Sequence, residues 1–263
     1  LPAVACFDTA FHATMPAEAA TYGISWRWTE ELGVRRFGFH GLSHAYASRR
    51  AAELVRRAPG ELRIVTCHLG AGASVTAVAG GVSVDTTMGF TPLEGLVMAT
   101  RSGSVDPGAL LWLQERLHLG PAAMAEQLER HAGLLGTSGI SGDMREVLAA
   151  AAAGERRAAL AAGVYVHRAR AAVAAMAAAI DGLDALVFTG GVGEASAEVR
   201  ARVCRGLGFL GVDLDPARNL SPGAADADLA TARSPVRLLR IQAREDLEIA
   251  REVRRVLGGR LVG

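Results

Sequence analysis

Two glycine clusters carry the first chemical signal in this 263-residue chain: HLGAGAS, His68 to Ser74, and FTGGVGEAS, residues 188–196. Each comes after an apolar run, LRIVTC or ALVF, that reads as a strand entering a core. Backbone N–H groups exposed at such turns form concavities that bind phosphate, and glycine allows close approach and positive φ. The element after each turn separates two chemistries. A dinucleotide fingerprint needs strand, glycine turn and then helix, with an acidic residue on the next strand. HLGAGAS leads instead into SVTAVAGGVSVDTT, whose valines alternate around Gly80-Gly81, so the first turn belongs to a β-hairpin. FTGGVGEAS precedes a helical stretch, where a turn can hold an adenosine against a helix N-terminus. Together the two turns suggest a nucleotide held from two sides; ordinary tight turns are the alternative for each.

Other reactive residues narrow the chemistry. His40 and His44 stand four apart, as a metal pair would, but no third ligand lies near them in sequence. Cys6, Cys67 and Cys204 are an odd number without metal-ligand spacing and read as buried thiols. The chain has no lysine, which excludes a P-loop, because that motif needs one at the phosphates. A formal charge of +1 supplies no basic field for nucleic acid or an acidic membrane. The Ala-rich stretch 158–180 carries His167, Arg168 and Arg170, which argues against a membrane span. With no signal-peptide pattern in view, a reducing cytoplasmic setting is expected.

The elements that must position these residues mix strand and helix throughout, which gives an α/β class. Residues 2–7 read as a strand ending at Asp8, and 43–57 as a helix capped by Ser43. Strand 62–67 and the hairpin come next, then helices near 107–118, 121–132, 143–153 and 156–181. A strand over 185–191 precedes a helix over 195–207, and a last apolar strand at 236–242 leads into a helix from Glu245 to Leu257. The chain opens at full hydrophobicity, which suggests the downstream part of something longer.

The segments FDTAFHATMP, RRFGFHGLSHAY, VTCHLGAGAS, SVDTTMGFTPLEGLVMATRSGSVDPG, TSGISGDMRE and VFTGGVGEASAEVR, in this order, resemble the acetate kinase family over essentially the whole chain. The resemblance implies the second half of a duplicated two-domain kinase with a ribonuclease H-like, actin/Hsp70-type ATPase fold. It implies reversible transfer of a phosphoryl group between ATP and acetate, giving acetyl phosphate and ADP, with Mg²⁺ or Mn²⁺. A non-catalytic nucleotide-binding or dimerisation module of the same fold is one alternative; a propionate or butyrate kinase is another. Asp8, His40 and Arg101 match the family's catalytic groups, with His40 and Arg101 stabilising the transferring phosphoryl. His68, Leu69, Gly70, Ala71 and Gly72 match the phosphate-binding hairpin. Asp143, Met144 and Arg145, with Gly191, Val192, Gly193, Glu194 and Ala195, match the ATP-binding segments. Phe39 and Pro92 match the walls of the acyl pocket, and Glu245 matches a carboxylate associated with the metal. Read alone, Asp8 could cap a helix, Arg101 could join a surface salt bridge, and Glu245 could serve a helix dipole. Asp85, Glu94 and Asp106 read as scaffolding.

Two positions depart from the family, which usually carries asparagine at Ala71 and commonly at Ala195; each change removes a possible hydrogen bond to the nucleotide. The resemblance also implies that residues 1–10 end a first domain not contained in this chain. Residues 11–244 would form the second, dimerising domain, and 245–263 a helix returning to the first. A homodimer is therefore expected, with activity of this chain alone negligible.

Overall fold

The structure, a computed structural model, describes residues 3–223 and 226–258. Leu1, Pro2 and residues 259–263, which belong to the expected terminal segments, lie outside the described residues. Six strands form one mixed sheet: β1 (Arg63–Leu69), β2 (Ala73–Ala79), β3 (Val82–Thr86), β4 (Ala185–Thr189), β5 (Ala227–Asp228) and β6 (Arg237–Arg240). Their order is β3-β2-β1-β4-β6-β5, with β1, β4 and β6 parallel at the centre. The predicted hairpin over the first glycine turn is present, with Leu69 opposite Ala73 and His68 opposite Ser74.

The first helices are α1 (Ala17–Ala20), α2 (Trp26–Leu32), α3 (Gly41–Val55), α4 (Pro107–Leu117), α5 (Pro121–Arg130) and α6 (Gly133–Ser138). After them come α7 (Met144–Ala152), α8 (Arg156–Ala179), α9 (Gly190–Ala195), α10 (Ala197–Cys204), α11 (Pro216–Leu220) and α12 (Glu245–Gly258). The central strands are buried from both sides, which is why ALVFT of β4 reads as an unbroken apolar run. On one face Val65, Cys67 and Leu69 meet the alanine-rich stripe of α8, where Ala158, Ala161, Ala162, Tyr165, Ala169 and Ala177 are buried. Small side chains let that helix lie close to the sheet. On the other face Leu62 and Ile64 meet Tyr46, Ala47, Ala51 and Ala52 of α3. Strand alternation then puts Thr66 and His68 on the α3 face, beside their partners Thr76 and Ser74. That interface therefore turns from apolar to polar toward the C-terminal end of β1.

Several sequence expectations are corrected. Residues 3–7 are not a strand: no described strand pairs with them, and residues 4–7 line a groove with α3 and α12. Helix α3 starts two residues early and is not capped by Ser43. The Asp8 carboxylate accepts from the N–H groups of His40 (2.6 Å) and Leu42 (3.4 Å) instead. The helix expected over 195–207 is two helices that meet at Ser196, whose hydroxyl accepts from Val199 N–H to start α10. Asp106 caps α4 through Gly108 N–H, and Glu94 pairs with Arg36, so both are scaffolding.

The outer strand β3 is flanked by a 3₁₀ turn, Ala10–Thr14, from which Thr14 Oγ1 donates to the Ser83 carbonyl at 2.8 Å. Helix α12 packs on α3, where buried Glu248 pairs with Arg49 and Arg251. Cys67 and Cys204 are buried, Cys6 is half-buried, and all three are free thiols. No helix among the described residues is long and apolar enough to cross a membrane.

Candidate active site

The β1–β2 turn, Gly70 to Gly72, is the meeting point of two differently built regions. Neither glycine takes a positive φ, so conformational freedom does not explain them. Space explains Gly72: a β-carbon there would stand 3.0 Å from His40 Nε2 and 3.7 Å from the Arg101 guanidinium. Those two side chains thus converge on the turn from one side. Arg101 contacts Met98 Sδ at 3.8 Å and joins no ion pair among the described residues, which leaves its donors aimed at the cleft. Its loop is tied to the turn by Ala99 N–H, which donates to the Ala71 carbonyl at 3.1 Å.

His40 is held from three directions. Its backbone sits in the left-handed region at φ 58°, a conformation that costs a non-glycine residue on the order of 1 kcal/mol and persists only where contacts enforce it. Asp8 supplies one contact through the His40 N–H. Gly41 lets the Asp8 backbone approach, since a β-carbon there would meet the Asp8 carbonyl at 2.2 Å. The ring stacks on His68, centroids 4.2 Å apart, and its Nδ1 lies 2.9 Å from Ser74 Oγ. Beneath it, His44 bridges Ser74 Oγ (2.7 Å) and Thr66 Oγ1 (2.7 Å). His68 Nδ1 meets Ser43 Oγ at 2.8 Å, and His12 spans Ser83 Oγ (2.9 Å) and the Phe39 carbonyl (3.0 Å).

Burial pushes all four imidazoles below their ordinary value: His12 to about 4, His68 to about 3, His44 well below, and His40 downward with Arg101 adding to the effect against the pull of Asp8. Burial therefore favours the neutral form of all four rings. Sequence reasoning pairs His40 with His44 by spacing, gives Ser43 only a capping role, and assigns nothing to His12, Ser74 or Thr66. The signal is available: a three-residue turn places Ser74 opposite His68, and a four-residue helical step places His44 beneath His40.

On the other side of the turn lies a cavity of about 800 Å³, within the range of small-molecule sites. Gly70 and Ala71 form one wall, Gly142 to Arg145 with Leu134 and Leu148 a second, and Gly191, Val192 and Ala195 to Glu198 a third. Asp143 caps α7, accepting from Arg145 N–H at 2.8 Å and from the Arg145 side chain, which holds its carboxyl down at about 2. Five of the predicted nucleotide residues do not line this cavity: His68 and Gly72 lie against His40 on the other side of the turn, and three more take other positions. Leu69 is fully buried, Gly193 packs on Leu69 and Phe188, and Glu194 braces the Gly190 and Ala243 N–H groups at 3.0 Å each. Helix α9 is held from below by the fully buried Arg200, which donates to the carbonyls of Gly193 (2.9 Å) and Glu194 (2.7 Å) and to both oxygens of Asn219. Sequence reasoning has no role for Arg200.

Phe39 precedes His40 and is half-buried against the α8-side core, while Pro92 sits in the loop Gly89–Gly95. That loop is latched by Glu94, which accepts from Arg36 (2.8 Å) and Tyr22, while Arg36 also donates to the carbonyls of Thr86, Thr87 and Met88. Phe37 and Phe90 approach at 5.8 Å beside it.

Glu245 opens α12, and its carboxyl is pushed up by burial first and by the charge of Asp8 second. Among the described residues no cluster of three or more metal-ligating side chains exists. Two carboxylates with a shared repulsion fit Mg²⁺, an ion held by one or two carboxylates, waters and substrate phosphates rather than by a full protein cage.

The Acetokinase family model matches residues 1–251. The chain is 51% identical over 252 residues to an acetate kinase of Microcystis aeruginosa (strain NIES-843 / IAM M-2473), and 52% identical over 252 residues to one of Gloeobacter violaceus (strain ATCC 29082 / PCC 7421). Each match covers 96% of this chain and 62% of the relative, so the chain spans under two thirds of the length of these curated relatives. Among solved structures it is similar to Porphyromonas gingivalis acetate kinase, with TM-score 0.93 and 41% identity over 95% of this chain and 63% of that one. A propionate kinase from Francisella tularensis subsp. tularensis SCHU S4 matches with TM-score 0.87 and 40% identity, covering 94% of this chain and 62% of that one.

Proposed function

Because the chain belongs to the acetokinase family, whose kinases share the actin/Hsp70-like ATPase fold, we propose that it forms one wall of a centre that moves a phosphoryl group reversibly between ATP and acetate. One observation carries this reading: His40 Nε2 and the Arg101 guanidinium both lie beside Gly72, while Gly70 and Ala71 of the same turn line a nucleotide-sized cavity. A nucleotide lying along the turn would have its adenosine in the cavity and its terminal phosphate at the histidine and arginine.

Phosphoryl transfer passes through a loose transition state with charge spread over three equatorial oxygens, so catalysis is positioning plus electrostatic stabilisation. Arg101 supplies a permanently charged fork of donors, and neutral His40 supplies one more. Turn N–H groups would orient the phosphates, and Phe39 and Pro92 would wall the methyl of acetate. Asp8 holds the backbone of His40 while its carboxylate and that of Glu245 would bind Mg²⁺. When bound, the ion neutralises phosphate charge. Asp143, Met144, Arg145, Gly191, Val192 and Ala195 would enclose the nucleoside, with His68 stacked behind His40. Leu69, Gly193 and Glu194 shape the walls from below.

The test is an assay of acetyl phosphate formation from ATP and acetate, using the chain joined to the part of the Microcystis relative that it does not span. Family-like turnover supports the reading, and its absence with intact ADP binding overturns it in favour of a nucleotide-binding module. The chain alone is expected to turn over negligibly, because a cleft enzyme needs donors from both walls and a water-filled half-site screens its charges. The similarity to a propionate kinase favours a second reading, and comparing kcat/KM for acetate and propionate in the joined enzyme decides it. We further read the chain as a homodimer: Trp26, Trp28 and Leu32 of α2 and Leu111 and Trp112 of α4 expose large apolar surfaces. Light scattering giving a monomer mass at micromolar concentration would count against that.

A further inference from the structure

We infer that Thr66, His44 and Ser74 form a polarised hydrogen-bond chain that holds His40 in the tautomer with its proton on Nε2, so that the ring offers a donor to an anionic oxygen in the cleft. These are positioning residues, since they act through His40.

The inference comes from counting protons. Three contacts run in series: Thr66 Oγ1 to His44 Nδ1 at 2.7 Å, His44 Nε2 to Ser74 Oγ at 2.7 Å, and Ser74 Oγ to His40 Nδ1 at 2.9 Å. Thr66, His44 and Ser74 are all fully buried, so water cannot repair a mismatch. Each hydroxyl owns one proton and each neutral imidazole owns one, so the series has two self-consistent senses.

In the outward sense Thr66 donates to His44 Nδ1, His44 Nε2–H donates to Ser74, and Ser74 donates to His40 Nδ1. The last ring then carries its proton on Nε2, facing Gly72. In the inward sense every donor reverses, and the Thr66 hydroxyl proton is left with the Thr76 carbonyl at 3.5 Å, the outer limit of a hydrogen bond. A buried donor without a good acceptor biases such an equilibrium by about tenfold or more. The outward sense wins, and members of a series reinforce one another.

The charged groups around His40 set what the donor is for. Asp8 binds its backbone N–H, His68 stacks on one face, and Arg101 approaches from the cleft beside Nε2. Two donors aimed at one space are poorly placed without an anion and well placed with one. The inward sense would present a lone pair to the same oxygen and repel it. This use of the donor rests on the phosphotransferase reading, whereas the sense of the chain does not.

The test uses the 263-residue chain labelled with ¹⁵N-histidine, and a multiple-bond ¹H–¹⁵N correlation spectrum at pH 7.5, with His40 assigned by the signals lost in His40→Gln. The expected result is a single tautomer at His40 with the proton on Nε2, and the same for His44. Ser74→Ala cuts the series between the rings and is expected to bring a measurable share of Nδ1–H at His40; Ser74→Thr returns the hydroxyl and should remove that share. Thr66→Val, nearly the same shape, is the second variant: with no acceptor left for a proton on His44 Nδ1, both rings should stay protonated on Nε2. A wild-type His40 carrying its proton on Nδ1 overturns the inference, whether or not the variants fold. So does a His40 tautomer unmoved by Ser74→Ala, or one that Thr66→Val turns to Nδ1–H. Failure of the phosphotransferase reading would show instead in the acetyl phosphate assay, with these spectra unchanged.

Discussion

The two sides of the Gly70–Gly72 turn solve the same problem, presenting groups to one ligand, by opposite means. The histidine side is polar from the cleft down into the sheet: His40, Ser74, His44 and Thr66 are linked in series, with His12 and His68 tied to their own hydroxyls. The cavity side presents turn backbone and apolar side chains with the Asp143–Arg145 pair at its wall, and one buried cation, Arg200, holds helix α9 from below. The first region fixes directions of individual protons; the second fixes a shape. Substitutions should therefore act on chemistry in one and on fit or stability in the other.

The largest effect should come from deleting the donors that converge on Gly72. Arg101→Ala or His40→Ala, in the chain joined to its relative's missing part, is expected to lower kcat about 10²–10³-fold, typical for one transition-state donor, with ADP affinity little changed. Near-normal turnover in either would break the division between the two sides. Arg200→Met comes next. It strands the carbonyls of Gly193, Glu194 and Asn219, and urea unfolding should show a loss of about 3 kcal/mol or more, given the worth of hydrogen bonds to a charged donor. A loss below about 1 kcal/mol would mean that α9 holds its place without the clamp.

Acid should weaken the histidine side specifically. The folded-state values of His12 (about 4) and His68 (about 3) lie below the unfolded 6.5, so the unfolded chain binds more protons in between. Stability is then fully present above pH 6.5 and is lost as pH falls toward those values. From pH 7 to pH 5 each of the two should remove about 1–2 kcal/mol, and His12→Asn should flatten the slope measured by urea unfolding. An unchanged slope would contradict the burial of a neutral ring there. The smallest effect belongs to the cavity wall: Ala71→Asn and Ala195→Asn should each tighten ADP binding by about 0.5–1.5 kcal/mol in calorimetry, the worth of one added hydrogen bond. Unchanged or weaker affinity would show that the cavity is served by shape alone.

How legible this is depends on the range of the forces involved. The glycine turn, its hairpin and the buried strand of β4 can be read from local pattern, because turn chemistry and strand alternation are written in neighbouring residues. Motif alone locates Asp8, His40 and Arg101; the structure brings His40 and Arg101 to the turn and Asp8 to the backbone of His40. The missing parts are tertiary. Nothing near Asp8 says that it will start a helix whose N-cap lies 32 residues away, and nothing near Ser43 says that this makes its own capping role redundant. Residues 2–7 have strand composition, but a strand exists only beside another, and the described residues offer none. In sequence Arg200 looks like a surface residue of an ordinary helix; its burial depends on carbonyls from α9 and on Asn219 from α11. Glu194, read as part of a ligand loop, spends its carboxylate on two backbone N–H groups, one of them 49 residues away at Ala243.

The 3₁₀ turn along β3 has a consequence for life at high concentration. A sheet's outermost strand offers a row of unpaired backbone groups on which another chain can add itself edge to edge. At one margin of this sheet the strand β5 is two residues long, too short to template much. At the other, Thr14 occupies the Ser83 carbonyl and His12 covers the Ser83 hydroxyl, so the same residues that brace the histidine side also blunt that margin. Loosening the turn would therefore do two things at once: disturb His40 through the Phe39 carbonyl, and expose a β-edge on which copies of the chain could stack into aggregates.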